Sequence, residues 1–213
     1  MSGGLRATCR VVALALGILV LAGTLPGFAA EPAVGRVVQQ QGDVRAARGG
    51  AIVTLAVGAE VLCRDRIVSG PDGRVHIEFV DRSLVAIGSD TEVLVADYAA
   101  GRDGRRLSAV LSLLSGIVRA VVAEPGGSFD ITSRAAVASA RSTEWLMEAT
   151  GAGTAVFAAA GVVAVQSVGT NAVVELTPGM GTDVTPGGAP NPPKPWGKAR
   201  VEDFIARTRL PGE

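Results

Sequence analysis

Short segments in which every second residue is apolar follow one another along most of the chain. They are rich in Val and Ile, as at residues 75–80, 84–87 and 92–97, and Gly, Asp or Asn interrupts them at short intervals. This alternation is typical of strands that bury one face, and about fifteen such segments can be counted. The Ala-rich stretches 135–140 and 155–160 are also interpreted as strands, because neither belongs to a capped helical pattern. The sequence therefore predicts an all-β protein.

Glycines recur where these segments begin. Gly-x-Val occurs at Gly35, Gly42, Gly116 and Gly161, without a constant period. Two explanations stay open: strand ends that need a residue free to adopt positive φ, or a stack of strand pairs in which each Gly-x-Val begins a new layer. We expect many short strands in a twisted two-layer sandwich or a solenoid-like stack. The turn sequence at residues 71–73 predicts a hairpin between the strands on either side of it.

The composition changes at residues 186–195, where proline is frequent. Proline lacks a backbone N–H donor and favours extended geometry, so we expect the sheet to end there. Beyond it, Val201, Phe204, Ile205 and Thr208 recur at helical spacing. This spacing predicts a short C-terminal helix over residues 201–209 that docks on the body.

The beginning of the chain has the layout of a secretory signal. Arg6 and Arg10 precede an apolar run, and the small residues Gly27 and Ala29 suit cleavage after Ala29. We expect a signal peptide over residues 1–29, an all-β domain over 30–185 and a Pro-rich tail with its short helix over 186–213. The expected location is the periplasm. If the signal is kept, it forms a single anchor and is the chain's one contact with the membrane.

Composition argues against several classes of function. Beyond residue 29 the chain holds 18 Lys or Arg and 20 Asp or Glu, with no basic block, so a nucleic-acid partner is not expected. Beyond the same residue there are one histidine, His76, and one cysteine, Cys63, which are too few for a zinc site. No serine has the surroundings of a hydrolytic nucleophile. We expect a protein that is not an enzyme and that needs no cofactor or metal.

Several motifs of the body occur in the order and spacing of one known family. They are GRV at 35–37, GDV at 42–44, LAVG at 55–58, DRIVSG at 65–70, DGRVHIEFVDRSL at 72–84 and ARSTEW at 140–145. Together they resemble the periplasmic domain of the FecR family over about residues 34–190. Arg64, Arg82 and Ser142 stand where the family has glycine. We expect Arg82 and Ser142 either to have negative φ or to be strained by about 1 kcal/mol.

The last of these motifs supplies candidate site residues. On a strand, Arg141, Thr143 and Trp145 would share one face and Glu144 would lie on the other. One interpretation is an internal polar network in which Arg141 donates to carbonyls or to an acid such as Asp65 or Asp81; the other is contact with a ligand or partner. The structural or partner-contact candidates are Arg141, Thr143, Glu144, Trp145, Asp65 and Asp81.

The resemblance also implies a function. FecR proteins carry a cytoplasmic domain that controls a sigma factor, then a membrane helix, then this domain, and we expect this chain to act without that cytoplasmic part. It would be an exported sensor or interaction module in signal transduction that contacts another protein of the cell envelope, with an exposed sheet edge as the docking place. The alternative is a structural envelope protein that binds peptidoglycan or polysaccharide. The low aromatic content, 4%, favours a protein partner.

Overall fold

The structure, a computed structural model, describes residues 32–124 and 126–210. The predicted signal peptide, residues 1–29, lies outside the described residues. Within the described part, none of the helical segments has the length and apolar character that crossing a bilayer requires.

The described residues form many short strands and one short helix, as the alternation predicts. In the first half the strands are β1 (Ala33–Gln41), β2 (Val44–Arg48), β3 (Ala51–Thr54), β4 (Glu60–Leu62), β5 (Arg66–Ser69), β6 (Arg74–Phe79), β7 (Leu84–Ile87) and β8 (Glu92–Ala100). The rest are β9 (Arg106–Val121), β10 (Ser128–Thr132), β11 (Ala136–Ala140), β12 (Glu144–Thr150), β13 (Gly153–Ala160), β14 (Val163–Ser167), β15 (Val173–Leu176), β16 (Met180–Val184) and β17 (Lys194–Pro195), followed by α1 (Lys198–Thr208).

These strands make two layers that share β9. One layer, which we call the helix-side sheet, has the order β4-β1-β6-β7-β9-β12-β13-β16-β17. The other, which we call the opposite sheet, has the order β3-β2-β5-β8-β9-β10-β11-β14-β15. Among the described strands only the β9–β10 pairing is parallel. One apolar cluster with members from both sheets, including Ile77, Leu111 and Trp145, fills the space between them.

β9 changes layer at Gly116. Its residues up to Ser115 pair with β8 and β10, whereas residues 116–121 pair with β7 and β12. Gly116 has a φ of 90°, and a Cβ atom there would lie 2.2 Å from the Thr91 Oγ1 atom. A glycine is therefore required both by the backbone angle and by the close passage.

The second half of the chain is a stack of strand pairs. β10–β11 lies in the opposite sheet, β12–β13 in the helix-side sheet, β14–β15 in the opposite sheet and β16–β17 in the helix-side sheet. The fold is thus a two-layer sandwich whose second half is solenoid-like, so both of the architectures considered from the sequence contribute to it.

The expected hairpin at residues 71–73 is wrong. β5 and β6, which flank this turn, belong to different sheets, so the turn is an arch between the layers. It packs against the neighbouring arch from β1 to β2: the Gly70 N–H donates to the Asp43 carbonyl at 2.9 Å, and a Cβ atom on Gly73 would lie 2.3 Å from that oxygen. Gly73 therefore allows the two arches to pack closely, and it is not part of a hairpin turn.

The Pro-rich tail extends the helix-side sheet, which corrects the expectation that the sheet ends there. Lys194 and Pro195 pair with Gly181 and Met180 as an edge strand, a position that tolerates proline because one side of the strand needs no donor. Helix α1 begins three residues earlier than predicted.

Helix α1 docks on the outer face of the helix-side sheet, as its apolar spacing predicts. Phe204 is buried, and its ring meets the Trp196 ring edge-on at 5.0 Å between centroids. Trp196 stacks in turn on Phe157 of β13. The imidazole of His76 is buried beneath the end of the helix, with Nε2 2.9 Å from the Thr208 carbonyl oxygen.

Two arginines occupy backbone positions that favour glycine. Arg64 has a φ of 65° and Arg82 a φ of 71°, whereas Ser142 is not among the described residues with positive φ. Arg82 therefore has the strained, positive-φ backbone that was one of the two expectations. Ser142 fits the other expectation, a backbone without that strain.

Replacing Arg64 by glycine should stabilise the domain by about 0.5–1 kcal/mol. Left-handed backbone costs a non-glycine residue about 1–2 kcal/mol, and the greater freedom of glycine in the unfolded chain cancels part of the gain. Denaturant unfolding of Arg64→Gly measures the difference. Arg64→Lys keeps the Cβ atom and should leave stability unchanged; a glycine variant no more stable than the lysine variant would show that the backbone is not strained.

Candidate functional site

The Arg106 side chain is fully buried at the start of β9 and contacts three separate segments of the chain. Its Nη1 atom pairs with the Asp81 carboxylate and donates to Ser83 Oγ at 2.9 Å. Its Nη2 atom donates to the carbonyl oxygens of Gly127, at 3.1 Å, and Arg141, at 3.3 Å. The guanidinium therefore joins the turn after β6, the segment before β10 and the connection from β11 to β12.

Asp81 and Ser83 complete this buried network. The Asp81 carboxylate accepts from the Ser83 N–H at 3.1 Å and from the Ser83 hydroxyl at 2.7 Å. The Ser83 oxygen also accepts from the Ala123 N–H at 3.1 Å. Because each charged group has several partners, the buried ion pair meets the condition under which such a pair is tolerated in an apolar interior.

Arg106 is the polar residue that the sequence reasoning missed. Ala99 of β8 pairs with Ser108 but Ala100 pairs with Arg106, so β9 carries one extra residue, Leu107, which is 64% exposed. This irregularity reverses the alternation, placing an arginine inside and a leucine outside. Strict alternation, counted backwards from buried Ala109, would place Leu107 inside and Arg106 outside. The local sequence pattern therefore does not identify Arg106 as a buried residue.

The predicted pairing of Arg141 with Asp65 or Asp81 is wrong. Asp65 is bound by both Nε and Nη2 of Arg48, at 2.8 and 2.7 Å, and Asp81 by Arg106. Residues 141–143 are a connection between sheets instead of a strand, so alternation does not apply there, and the Arg141 side chain is exposed. Its carbonyl oxygen, not its guanidinium, belongs to the buried network.

The other residues of this motif have structural contacts. Thr143 is buried, and its carbonyl accepts from the Val122 N–H at 2.9 Å. Glu144 begins β12 and its Oε1 atom accepts from Arg119 of β9 at 2.6 and 2.9 Å. Trp145 is fully buried in the core. The expected alternation thus describes Glu144 and Trp145 on β12 correctly. Thr143 is buried as expected, although it precedes the strand, and Arg141 is not.

A groove of about 600 Å³ lies where this connection meets the outer face of the opposite sheet. Its polar lining consists of Ser128, Asp130, Ser139, Arg141, Ser142 and Thr143. Asp130 and Arg141 form no ion pair with any described residue. Two of the predicted candidates, Arg141 and Thr143, are therefore brought together at one surface, and Asp81 supports that surface from beneath through Arg106.

A second cavity, of about 250 Å³, lies between the β12–β13 turn, β16 and α1. Its two acids are already neutralised: Glu148 by Arg207 at 2.6 Å and Asp183 by Arg200 at 2.5 Å. Within residues 32–124 and 126–210, His, Cys, Asp and Glu side chains form no group of three or more that could hold a metal ion. Charged side chains without an ion pair therefore line the groove beside Arg141 and not this second cavity.

Tyr98 borders the buried network. Burial raises the pKa of the Tyr98 phenol above its ordinary value, and the neighbouring Asp81 carboxylate raises it further. The nearby Arg106 charge and the Asp81 backbone favour the phenolate, but they are outweighed. The phenol oxygen itself is buried without a hydrogen-bond partner among the described residues. Its ring stacks on Phe79 with 5.2 Å between centroids.

Because Tyr98 is the one tyrosine of the chain, its ionisation can be observed directly. We expect tyrosinate absorbance to appear in the folded protein only at a pH well above that of the denatured chain, where the pKa is about 10. A raised folded-state pKa contributes stability that is present below the unfolded pKa and is lost as the pH rises through the folded pKa. Tyr98→Phe should remove that alkaline loss. Equal titration curves for folded and denatured protein would contradict the burial.

Comparison with known families identifies the segment that contains this network. Residues 65–164 match the family model described as FecR protein. This segment belongs to the FecR family. The match is narrower than the 34–190 expected from the motifs, and it includes the motifs at 65–70, 72–84 and 140–145. Arg106 links two of these FecR motifs, because it binds Asp81 in the motif at 72–84 and the Arg141 carbonyl in the motif at 140–145.

Solved structures share the fold of this chain. Two crystal structures of a protein described as a "putative anti-sigma factor" from Parabacteroides distasonis ATCC 8503 superpose with a TM-score of 0.53 at 16% identity. The alignment covers 65% of this chain and 62% of that one, so the chain spans less than two thirds of the length of these neighbours. Comparison with curated proteins gave no match.

Proposed function

We propose that this FecR chain is an exported periplasmic sensor or interaction module that acts in signalling by contacting another protein of the envelope, and not by catalysis. Its FecR segment supports a sensory or regulatory role. The observation that carries the protein-contact part of the proposal is the state of the sheet edges, which differ between the two layers.

The opposite sheet ends in two strands that each leave one edge unpaired. β3 pairs only with β2, and β15 only with β14, among the described strands. Each carries an exposed apolar side chain: Ile52 on β3 is 68% exposed and Val173 on β15 is 56% exposed. Strands of this kind offer free backbone donors and acceptors to a segment from another protein, and the apolar side chains add contact area.

The helix-side sheet is protected by comparison. Its edge strands are β4, which has three residues and begins with Glu60, and β17, which has two residues and ends with Pro195. Short strands, charge and proline are the usual means of preventing strand addition. Of the four edge strands in the described part of the chain, β3 alone has neither a charged residue nor a proline, and it carries the exposed Ile52, which supports β3 as the docking edge.

A photo-crosslinking side chain at Thr54, exposed on β3, tests this proposal in intact cells. We expect an adduct with a discrete envelope protein, identified by mass spectrometry. Ile52→Lys should abolish the adduct, because a lysine on an edge opposes strand addition. Val57→Lys, at a turn residue that is 63% exposed, is the matched control and should keep it. An adduct with glycan, or none with a protein, would favour the structural peptidoglycan-binding alternative.

Export is tested separately by N-terminal sequencing of the protein from a periplasmic fraction. We expect the mature chain to begin at Ala30. An intact Met1 in the membrane fraction would replace cleavage by an uncut anchor.

A further inference from the structure

The groove beside Arg141 holds two opposite charges that do not neutralise each other. Asp130 lies on β10, between the buried residues Phe129 and Ile131, so its side chain is on the outer face of the opposite sheet. Arg141 follows β11 and is exposed. A surface with a separated acid and base complements a ligand that carries both signs of charge.

The register sets the spacing of these charges. Asp130 pairs with Ser139 and Phe129 with Ala140, and Arg141 is the next residue of the chain, just beyond this last pair. Arg141 is therefore two residues along the chain from Ser139, the partner of Asp130, and two residues of extended backbone span at most about 7 Å. In an extended peptide, side chains two residues apart on one face are separated by about 7 Å. The two spacings are of the same size.

The base of the groove is held rigidly. Buried Arg106 donates to the Arg141 carbonyl at 3.3 Å, so an exposed cation stands on a fixed backbone. Pre-organisation of this kind lowers the entropic cost of binding. The hydroxyls of Ser128, Ser139 and Ser142 supply donors and acceptors for a peptide backbone, and the Thr143 hydroxyl has no partner among the described residues. None of the groove-lining residues is aromatic, which disfavours a sugar ring.

We propose that this groove binds an extended peptide segment of the partner protein that carries an acidic and a basic side chain at alternate positions. The acidic side chain pairs with Arg141 and the basic one with Asp130. This inference rests on the proposed protein partner and specifies the chemistry of one contact with it.

Four fluorescent peptides of one Thr/Val-rich sequence test the charge rule, with Glu-x-Lys, Glu-x-Glu, Lys-x-Lys or Gln-x-Gln at the central positions. Fluorescence anisotropy with the full chain should show the Glu-x-Lys peptide bound most tightly. In Arg141→Glu the preference should change to Lys-x-Lys, and in Asp130→Lys to Glu-x-Glu, with about a five-fold change in affinity for each reversed charge. Melting temperatures of both variants should equal that of the parent. An unchanged order of preference, or equal binding of Gln-x-Gln, overturns the proposal.

A crosslinker at Val162, which lines the groove and is 49% exposed, separates this inference from the proposed function. We expect a protein adduct at Val162 that is lost in Arg141→Glu. An adduct from the β3 edge with none from Val162 would overturn the proposed peptide binding by the groove and leave the proposed function standing. A glycan adduct at both positions would overturn the groove and the proposed function together.

Discussion

Replacing Arg106 by methionine is expected to destabilise the domain by about 3–5 kcal/mol. The substitution leaves the Asp81 carboxylate buried, with a 1% exposed side chain and without its cation, and removal of one partner of a buried pair has about this cost. Such a loss is a large part of a typical domain stability of about 5–15 kcal/mol. Denaturant unfolding monitored by circular dichroism measures it.

Two further variants define what the Arg106 result means. The double variant Arg106→Met, Asp81→Leu should recover part of the loss, because no uncompensated charge remains in the interior. Arg141→Ala, at an exposed side chain, should change stability by no more than about 0.5 kcal/mol. If Arg141→Ala proved as damaging as Arg106→Met, the assignment of the buried network to Arg106 would be wrong.

Truncation of Trp145 to alanine is expected to cost about 3–5 kcal/mol, because a fully buried indole is replaced by a cavity between the sheets. Trp145→Phe should cost much less. It keeps a large ring, and it removes an indole N–H that is buried without a hydrogen-bond partner among the described residues. Urea unfolding of the two variants gives the comparison.

The burial of Trp145 also leads to an expectation about partner binding. Because it is a core residue, both variants should retain any partner adduct at temperatures where they are folded. Loss of the adduct in folded Trp145→Phe would indicate that the indole contributes to binding, contrary to its burial.

Much of the local structure was predictable because it depends on neighbours in the chain. The segment 84–87 coincides with β7, the segments 75–80 and 92–97 overlap β6 and β8, and the Ala-rich stretches lie in β11 and β13. Alternation records which face of a strand is buried, and this is sufficient to locate strands. β4 and β17, with three and two residues, are too short to show an alternation and were missed.

The candidate site was predictable only in part. Asp65 and Asp81 do belong to buried polar contacts, and Thr143 and Trp145 are buried. The cations that bind the two acids, Arg48 and Arg106, are 17 and 25 residues away in the sequence. Such pairings depend on which strands become neighbours, and spacing along the chain contains no information about this.

The sequence by itself determined the all-β class, the positions of most strands and the apolar side of the C-terminal helix, because each follows from periodicity over a few residues. Tertiary structure alone decided the layer to which each strand belongs, the arch at residues 71–73 and the passage of β9 between sheets at Gly116. It also decided that Arg106 is inside and Arg141 outside. One extra residue in β9 and one connection between layers reverse the pattern there, and only long-range packing selects where such irregularities are stable.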